Sequence, residues 1–345
     1  MEYINLILSA LSQGMLYAPM AMGVFIAFKI LNTPDLTIDG SLVFGMTVCA
    51  VVTIASHPIL ALVAGTLAGA LAGFVTGFLQ TKLRINAILA GILTMTGLYT
   101  VNYMVLGGQS NLYLQTAETN ESGSEVFVSS NTIYKMFSSL FPGLDTNANV
   151  LLLTALIVAA VATLLCVFFK TRHGMAIRAT GDNEEMVRSS SINADASRIL
   201  GIVLANGLVA LSGSLLCQQQ RYADLNNGSG MLVVGLASVI IGQVLFGRRS
   251  VTLGVISAVA GSAAYRLILQ FAYKINMPSY AVKLLSAVIG SIIYYIVLQF
   301  VLRLGLESTD LKLLSAVVVA LFLTIPYWKG KYFTKTVRKE VGRNA

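Results

Sequence analysis

Long apolar runs, separated by short polar stretches, follow one another along nearly the whole sequence. Each run is about 20 residues long, which is enough for a helix to cross a hydrocarbon core about 30 Å thick. Because lipid offers the backbone no hydrogen-bond partners, these runs are predicted to be helices. The pattern therefore predicts an all-α, polytopic helical membrane protein with about nine or ten transmembrane segments. The segments are predicted at residues 4–30, 41–55, 58–78, 86–106, 150–169, 199–217, 231–246, 251–273, 281–302 and 311–327.

A polar break at residues 32–40 separates the first two runs and gives the fold a broken second helix. The break contains Asp35, Asp39 and Gly40. Carboxylates and non-helical backbone persist near a membrane only beside protein or a water-filled path. We therefore predict a role in the translocation pathway for these three residues, with a simple interfacial turn as the alternative. Asn86 is a further candidate for the path, although such an amide more often forms a hydrogen bond between helices.

The third run has a glycine on the same face at each turn. Glycines in this spacing allow another helix backbone to approach closely. We predict that this face serves helix packing rather than direct contact with a solute. The glycines are Gly65, Gly69, Gly73 and Gly77.

Composition supports a membrane protein. The chain has 345 residues, of which 56% are hydrophobic and 11% charged, whereas a soluble domain has about 25% charged residues. The net charge of +8 arises from Lys and Arg residues clustered between the apolar runs. Such clusters mark the cytoplasmic side of a membrane protein, so the charge does not indicate a nucleic-acid partner.

The distribution of basic residues predicts the orientation. Loop 107–148 has a single Lys beside several acidic residues and is predicted to be an outer loop, which also places the N-terminus outside. The stretch after the fifth run is predicted to be cytoplasmic. Its basic residues are Lys170, Arg172, Arg178, Arg188 and Arg198. Another basic residue, Arg266, lies near the middle of the eighth run, where it should face protein or extend toward the membrane surface, and we predict no site there.

The end of the chain conflicts with this scheme. Ten crossings place the basic tail 329–345 outside, although its charge predicts the cytoplasm. Either one of the last four segments does not span fully or the parity is wrong. Residues 261–288 align without gaps onto 290–317, and a tandem duplication of this unit would add one helix to an odd number. The domain prediction is therefore a transmembrane domain at 1–328 followed by a cytoplasmic tail at 329–345.

The polar segment 170–195 has the features of a short helix on the membrane surface. Asp182 or Asn183 can cap a helix whose first turn carries Glu184 and Glu185, where the helix dipole favours anions. Gly181 would permit a sharp turn just before it. Physical reasoning alone leaves two readings open, a helix that docks into a partner protein and an ordinary solvated connector.

Three stretches of the sequence resemble a known family. They are "RATGDNEEMVRSSSIN", "LSQGMLYAPMAMGVFIAFKILNTPDLTIDGSLVFGM" and "ASVIIGQVLFGRRS". They are similar to the ATP-binding-cassette permeases of the branched-chain amino acid and ribose permease superfamily, most of all to a branch linked to amino acid uptake, including aromatic amino acids. The resemblance covers most of residues 5–290. The second copy of the C-terminal repeat departs from the family pattern and leaves the helix count open.

The resemblance implies a function and partners. It implies a membrane-spanning permease of the bacterial plasma membrane that imports a small polar solute, an amino acid on resemblance alone. Expected partners are a cytoplasmic ATP-binding-cassette ATPase, an extracytoplasmic solute-binding (lipo)protein and a second permease copy, as a homodimer or pseudo-dimer. The segment around 170–195 corresponds to the family's coupling loop. The implied ATPase-coupling residues are Gly174, Arg178, Gly181, Asp182, Asn183, Glu184 and Glu185.

The sequence gives no sign that this chain catalyses a reaction or binds a nucleotide itself. No Gly-x-x-x-x-Gly-Lys-Ser/Thr loop is present, so ATP and Mg are expected in the partner ATPase and no cofactor or metal in this chain. An enzyme would need a clustered nucleophile, base or metal set, which the sequence does not suggest. The alternative is a secondary transporter driven by an ion gradient, which predicts paired buried charges and inverted repeats of several helices.

Overall fold

The computed structural model describes residues 2–119, 125–140, 143, 146–190, 192–246 and 250–275. Eleven α-helices and four short strands lie in these ranges. The helices are α1 Glu2–Phe25, α2 Thr37–Ile54, α3 Pro58–Thr81, α4 Ala87–Val105, α5 Ile133–Leu140, α6 Thr146–Phe168, α7 Arg172–Asp182, α8 Glu184–Ser189, α9 Ala194–Gln220, α10 Met231–Phe246 and α11 Val251–Ile275. The strands are β1 Asn111–Tyr113, β2 Gln115–Thr119, β3 Glu125–Ser129 and β4 Tyr222–Asp224.

The helical membrane fold predicted from the sequence is confirmed. Eight helices of the described part are long and apolar enough to cross a membrane. The two last predicted segments, 281–302 and 311–327, lie outside the described residues. So do the second repeat copy and the basic tail, and the predicted division at residue 328 stays a prediction.

Helix α9 forms the centre of the described bundle and packs against α1, α2, α3 and α7. The membrane spans of α1 and α9 are 78% and 72% buried, whereas that of α6 is 22% buried. The outward faces of the bundle's helices expose large apolar side chains such as Leu156 on α6 and Phe74 on α3. Such side chains are suited to contact lipid or another membrane helix.

The break between the first two spans is shorter than predicted, and α2 is itself continuous. Helix α1 continues into a π-helical turn, Ile26–Ile30, and α2 begins at Thr37 rather than at residue 41. The carboxylate of Asp35 accepts the Thr37 N–H at 2.9 Å, which satisfies one of the amides that a helix start leaves unpaired. Asp39 and Gly40 therefore belong to the first turn of α2 and not to the break.

The predicted outer loop 107–148 contains ordered structure. Strand β1 pairs antiparallel with β4, with Tyr113 opposite Tyr222, and β2 pairs with β3. The N–H of Ile133, at the start of α5, donates to Oε1 of Gln218 at 2.9 Å. These contacts attach the loop to the chain around the C-terminal end of α9.

The polar segment 170–195 is more helical than predicted. Residues assigned to a connector form α7, and a separate short helix, α8, follows it. The prediction that Gly181 makes a turn was wrong, because this residue lies in the last turn of α7. The chain changes direction instead at Asn183, whose φ of −156° and ψ of 99° place it in extended conformation.

Candidate functional site

Side-chain caps define the two short helices α7 and α8, which we call the α7–α8 pair. Oγ1 of Thr171 accepts the Gly174 N–H at 3.3 Å at the start of α7. Oδ1 of Asn183 accepts the Met186 N–H at 3.0 Å, so Asn183 rather than Asp182 caps α8. An N-terminal cap of this kind stabilises a helix by about 1 kcal/mol. Each short helix therefore has its own start signal in the sequence.

Ion pairs attach α8 to the start of α9. The carboxylate of Glu184 accepts hydrogen bonds from Arg188, at 2.7 Å, and from Arg198 on α9. Arg188 also donates to Asp195 at 2.5 Å. Hydrogen bonds to Glu184 and then to Asp195 raise the pKa of Arg188 above its ordinary value. Both carboxylate oxygens of Glu184 are therefore already bonded to arginines of the same chain.

Three other predicted coupling residues are free for an external contact. Arg178, Asp182 and Glu185 are exposed, and none of them forms an ion pair with another residue that the structure describes. Met186, which follows Glu185 in the chain, exposes 71% of its surface. Together these side chains form a mixed charged and apolar surface, which is suited to bind another protein.

The end of α7 lies directly against the π-helical turn that ends the first span. A side chain at Gly181 would overlap the carbonyl oxygen of Ile30 and lie 2.9 Å from the Cα of Leu31. Gly174 packs against the backbone of Phe168 and Phe169 in the same way. Turns of π-helix occur frequently at functional sites. The glycine at 181 is therefore needed for close contact between α7 and the π-helical turn that leads into the break.

A buried polar cluster fills the space beside the break. Asp35 is 0% exposed and its Oδ2 accepts a hydrogen bond from Nδ2 of Asn206 at 2.7 Å. The Ser41 hydroxyl donates to Oδ1 of Asn206, also at 2.7 Å. The hydroxyls of Thr37 and Thr76 lie 2.8 Å apart. We call these five residues the Asp35 cluster; it joins the break to α2, α3 and α9.

The predicted pathway residues lie in different environments. Asp35 is enclosed, whereas Asp39 is partly exposed. The two oxygens of Asp39 accept the N–H groups of Gly230 and Leu232, at 3.1 and 2.7 Å, at the start of α10. Gly40 packs against α4. Asn86 is exposed and caps α4 through the N–H of Ile88, at 3.0 Å.

The glycine face of α3 lies against α9. A methyl group added at Gly69 would lie 2.6 Å from the carbonyl oxygen of Asn206, and one at Gly73 would lie 2.7 Å from that of Ile202. Both distances are shorter than a normal van der Waals contact. We call this contact the α3–α9 interface. All four predicted packing glycines face it: Gly65, Gly69, Gly73 and Gly77.

Sequence reasoning missed the central residue of the Asp35 cluster. Asn206 lies in the middle of the long apolar run of α9, and a lone amide in such a run is a signal for an interhelical hydrogen bond. That signal does not name the partner, which is 171 positions away in the chain. No group of three or more His, Cys, Asp or Glu side chains in the described residues is arranged to hold a metal ion.

Comparison with known proteins gives consistent matches. Residues 6–326 match the family described as "Branched-chain amino acid transport system / permease component". The chain is 34% identical over 279 residues to a tyrosine transport system permease protein of Clostridioides difficile (strain R20291), covering 81% of this chain and 86% of that one. It is 31% identical to an uncharacterized protein of Rickettsia prowazekii (strain Madrid E), covering 70% and 78%.

Structural similarity is weaker. A chain in the structure of PsaBC from Streptococcus pneumoniae in complex with Fab aligns with a TM-score of 0.35 and 16% identity, over 76% of this chain and 89% of that one. This likeness is too low to support an argument. Neither sequence relative supports the ion-gradient alternative. The family match extends over most of the chain, and eight of the described helices can span a membrane. The chain therefore belongs to the permease components of the branched-chain amino acid transport family, as a multi-pass subunit of an ATP-binding-cassette importer in the bacterial inner membrane.

Proposed function

We propose that this permease imports an amino acid, and that its solute is an aromatic one such as tyrosine. The family description and the relative named as a tyrosine transport system permease support this choice. An extracytoplasmic solute-binding protein would deliver the solute to the outer loops. A second permease copy would complete the path.

The α7–α8 pair is proposed to be the contact for a cytoplasmic ATPase. Its exposed side chains, among them Arg178, Glu185 and Met186, provide charged and apolar groups for a protein partner. ATP and Mg would bind to the ATPase, and this chain would contribute no chemical step. Force from the ATPase would act on α7 and α8 as one unit, because Asn183 alone lies between them.

One observation carries the proposed mechanism, the contact of Gly181 with the carbonyl of Ile30. Because this contact leaves no room for a side chain, a displacement of α7 must displace the break as well. The break contains Asp35, which is bonded to Asn206 at the centre of the bundle. ATP binding and hydrolysis would thereby favour one of two helix packings, open to either side of the membrane in turn.

Substitution of Gly181 tests this mechanism. We expect Gly181→Leu to reduce solute uptake and the copurification of a P-loop ATPase, because the side chain would force α7 away from Ile30. Gly97→Leu is the matched control, since Gly97 is also helical but has nothing within 4 Å of an added Cβ. Uptake in a deletion strain and ATPase recovery are measured for both. Wild-type recovery and uptake in Gly181→Leu would refute the mechanism.

The sidedness of the α7–α8 pair can be tested separately. Cysteines introduced at Arg178 and Glu185 should react with an impermeant maleimide only in inside-out vesicles. Two of the native cysteines, Cys49 and Cys217, are buried and should contribute little background. Reaction in intact cells would place the pair outside and end the proposal of an ATPase contact.

A further inference from the structure

A cavity of about 1120 Å³ lies between α7, the first half of α9 and α3. One face of α7 lines it with Arg172, Met175, Ala176 and Ala179, which follow one another at the spacing of three and four residues that a helix face requires. Side chains between positions 192 and 203, together with Phe74 of α3, complete the lining. We call it the α7–α9 cavity. Its volume is large enough for a bound small molecule.

Most of the lining is apolar, but one end is basic. Among the described residues that line the cavity, Arg172 and His173 are the only ones that can carry a charge, and both are exposed. Arg172 forms no ion pair with another residue that the structure describes. The carboxylates of Glu184 and Asp195 are bonded to other arginines instead. The basic end of the cavity therefore lacks a counter-charge from the described chain.

The start of α7 adds to the attraction for an anion at this end. Arg172 and His173 form the first turn of the helix, where backbone N–H groups have no acceptor within the helix. The cap on Thr171 accepts the N–H of Gly174, which follows them. The positive end of the helix dipole lies at the same turn. Phosphate groups bind readily at such helix starts, and here a guanidinium stands beside one.

The cavity extends from the end of one membrane span into the depth of another. The span of α6 ends at Phe168, just before Arg172, and the span of α9 begins at Ala194. Leu200 and Val203 line the apolar part of the cavity. At a rise of 1.5 Å per residue, Val203 lies about 14 Å further along α9 than Ala194. A charged end at the membrane surface and an apolar end in the span match the two parts of a phospholipid.

We propose that the α7–α9 cavity binds an anionic phospholipid, with its phosphate on Arg172 and the start of α7. One acyl chain lies along Phe74, Leu200 and Val203. A guanidinium binds a phosphate through two parallel N–H···O bonds. Basic pockets between membrane helices bind anionic head groups by the same chemistry. The inference depends neither on the identity of the solute nor on the contact with the ATPase.

Native mass spectrometry of the full-length permease in detergent tests this site. Binding of dioleoylphosphatidylglycerol, which is anionic, is compared with that of dioleoylphosphatidylcholine, which has the same acyl chains and no net charge. We expect the anionic lipid to bind wild type about tenfold more tightly. Arg172→Gln should lower its affinity by about tenfold, the effect of losing a charged hydrogen bond. Because Arg172 is exposed, this variant should fold normally, which its melting temperature checks.

Two further variants separate the site from general attraction. Ala196→Phe places a large side chain in the lining without a change of charge and should also weaken binding of the anionic lipid. Lys82→Gln removes an exposed cation that does not line the cavity. Lys82 directly follows α3, at an end that is predicted to be cytoplasmic like the start of α7. This control should bind the anionic lipid as wild type does.

Four results would overturn the inference. Equal affinity of wild type for the two lipids would show that the head-group charge is not recognised. Unchanged binding by Arg172→Gln would show that the basic end does not hold the phosphate. An equal loss in Lys82→Gln would indicate charge attraction without a site. A wild-type dimer that Ala196→Phe converts to a monomer, with lipid binding unchanged, would assign the cavity to a contact between two permease copies.

Discussion

The α3–α9 interface and the α7–α8 pair are held together by different forces. At the interface, glycines bring one helix backbone against another, and the Asp35 cluster closes the space without exposure to water. In the α7–α8 pair, α7 packs closely against Ile30 through Gly181, but α8 is held by a side-chain cap and by ion pairs whose arginine, Arg188, is half exposed. Exposed ion pairs contribute little to stability, whereas close packing in a core resists small changes.

This difference fits the separate roles that we propose for the two regions. A rigid interface of helices provides a body that can rock without losing its internal contacts. The α7–α8 pair, in which α8 is weakly held, would provide the surface that the proposed ATPase binds and moves. Substitutions in the interface should therefore affect the folded state, and those in the pair should affect communication with the partner.

Gly69→Leu should have the largest effect. Its side chain would collide with the backbone of Asn206, and overpacking of this kind destabilises a protein by about 3 kcal/mol. We expect loss of monodisperse protein in detergent and a lower melting temperature. The matched control is again Gly97→Leu, which should behave as wild type. Equal stability of the two variants would show that the α3–α9 interface is not close-packed.

Asp35→Ala should have the next largest effect. It leaves the amide of Asn206 and the N–H of Thr37 without their carboxylate partner, at a cost of about 2 kcal/mol. A double-mutant cycle with Asn206→Ala, followed by melting temperature in one detergent, measures the coupling between the two side chains. Strictly additive losses would contradict a direct bond. Asp35→Asn keeps an acceptor and should lose less.

The helices were predictable because length and hydropathy determine them locally. The start of α10 at Met231 and that of α11 at Val251 agree with the prediction from the apolar runs. The start of α2 was not found, because Thr37, Asp39 and Gly40 are polar or small residues that local pattern assigns to a turn. A contact with Asn206, far away in sequence, stabilises Asp35 at that start.

The candidate site was predictable only in part for the same reason. The cap and acidic turn at Asn183 and Glu184 are local signals and could be read directly. The partners of Glu184 on α9 and the packing of Gly181 on Ile30 are tertiary. No periodicity in a single sequence encodes such pairs.

Asn183→Ala should have a smaller and local effect. Loss of the cap on the Met186 N–H should destabilise α8 by about 1 kcal/mol, without a change in the melting temperature of the whole protein. Hydrogen exchange at the amides of α8 should become faster, and ATP hydrolysis should respond less to the binding protein. Asn183→Asp retains an acceptor and should restore both the slow hydrogen exchange of α8 and the response of ATP hydrolysis to the binding protein. A global loss of stability would contradict the separation of the two regions.

Arg188→Ala should have the smallest effect. Arg188 bonds to Glu184 and Asp195, but 51% of its side chain is exposed, and water and salt compete for the same charges. Glu184 keeps Arg198 as a partner after the substitution. The melting temperature should therefore equal that of wild type at both low and high salt. A loss as clear as that of Asp35→Ala would mean that the ion pairs contribute more than the caps to the stability of the α7–α8 pair.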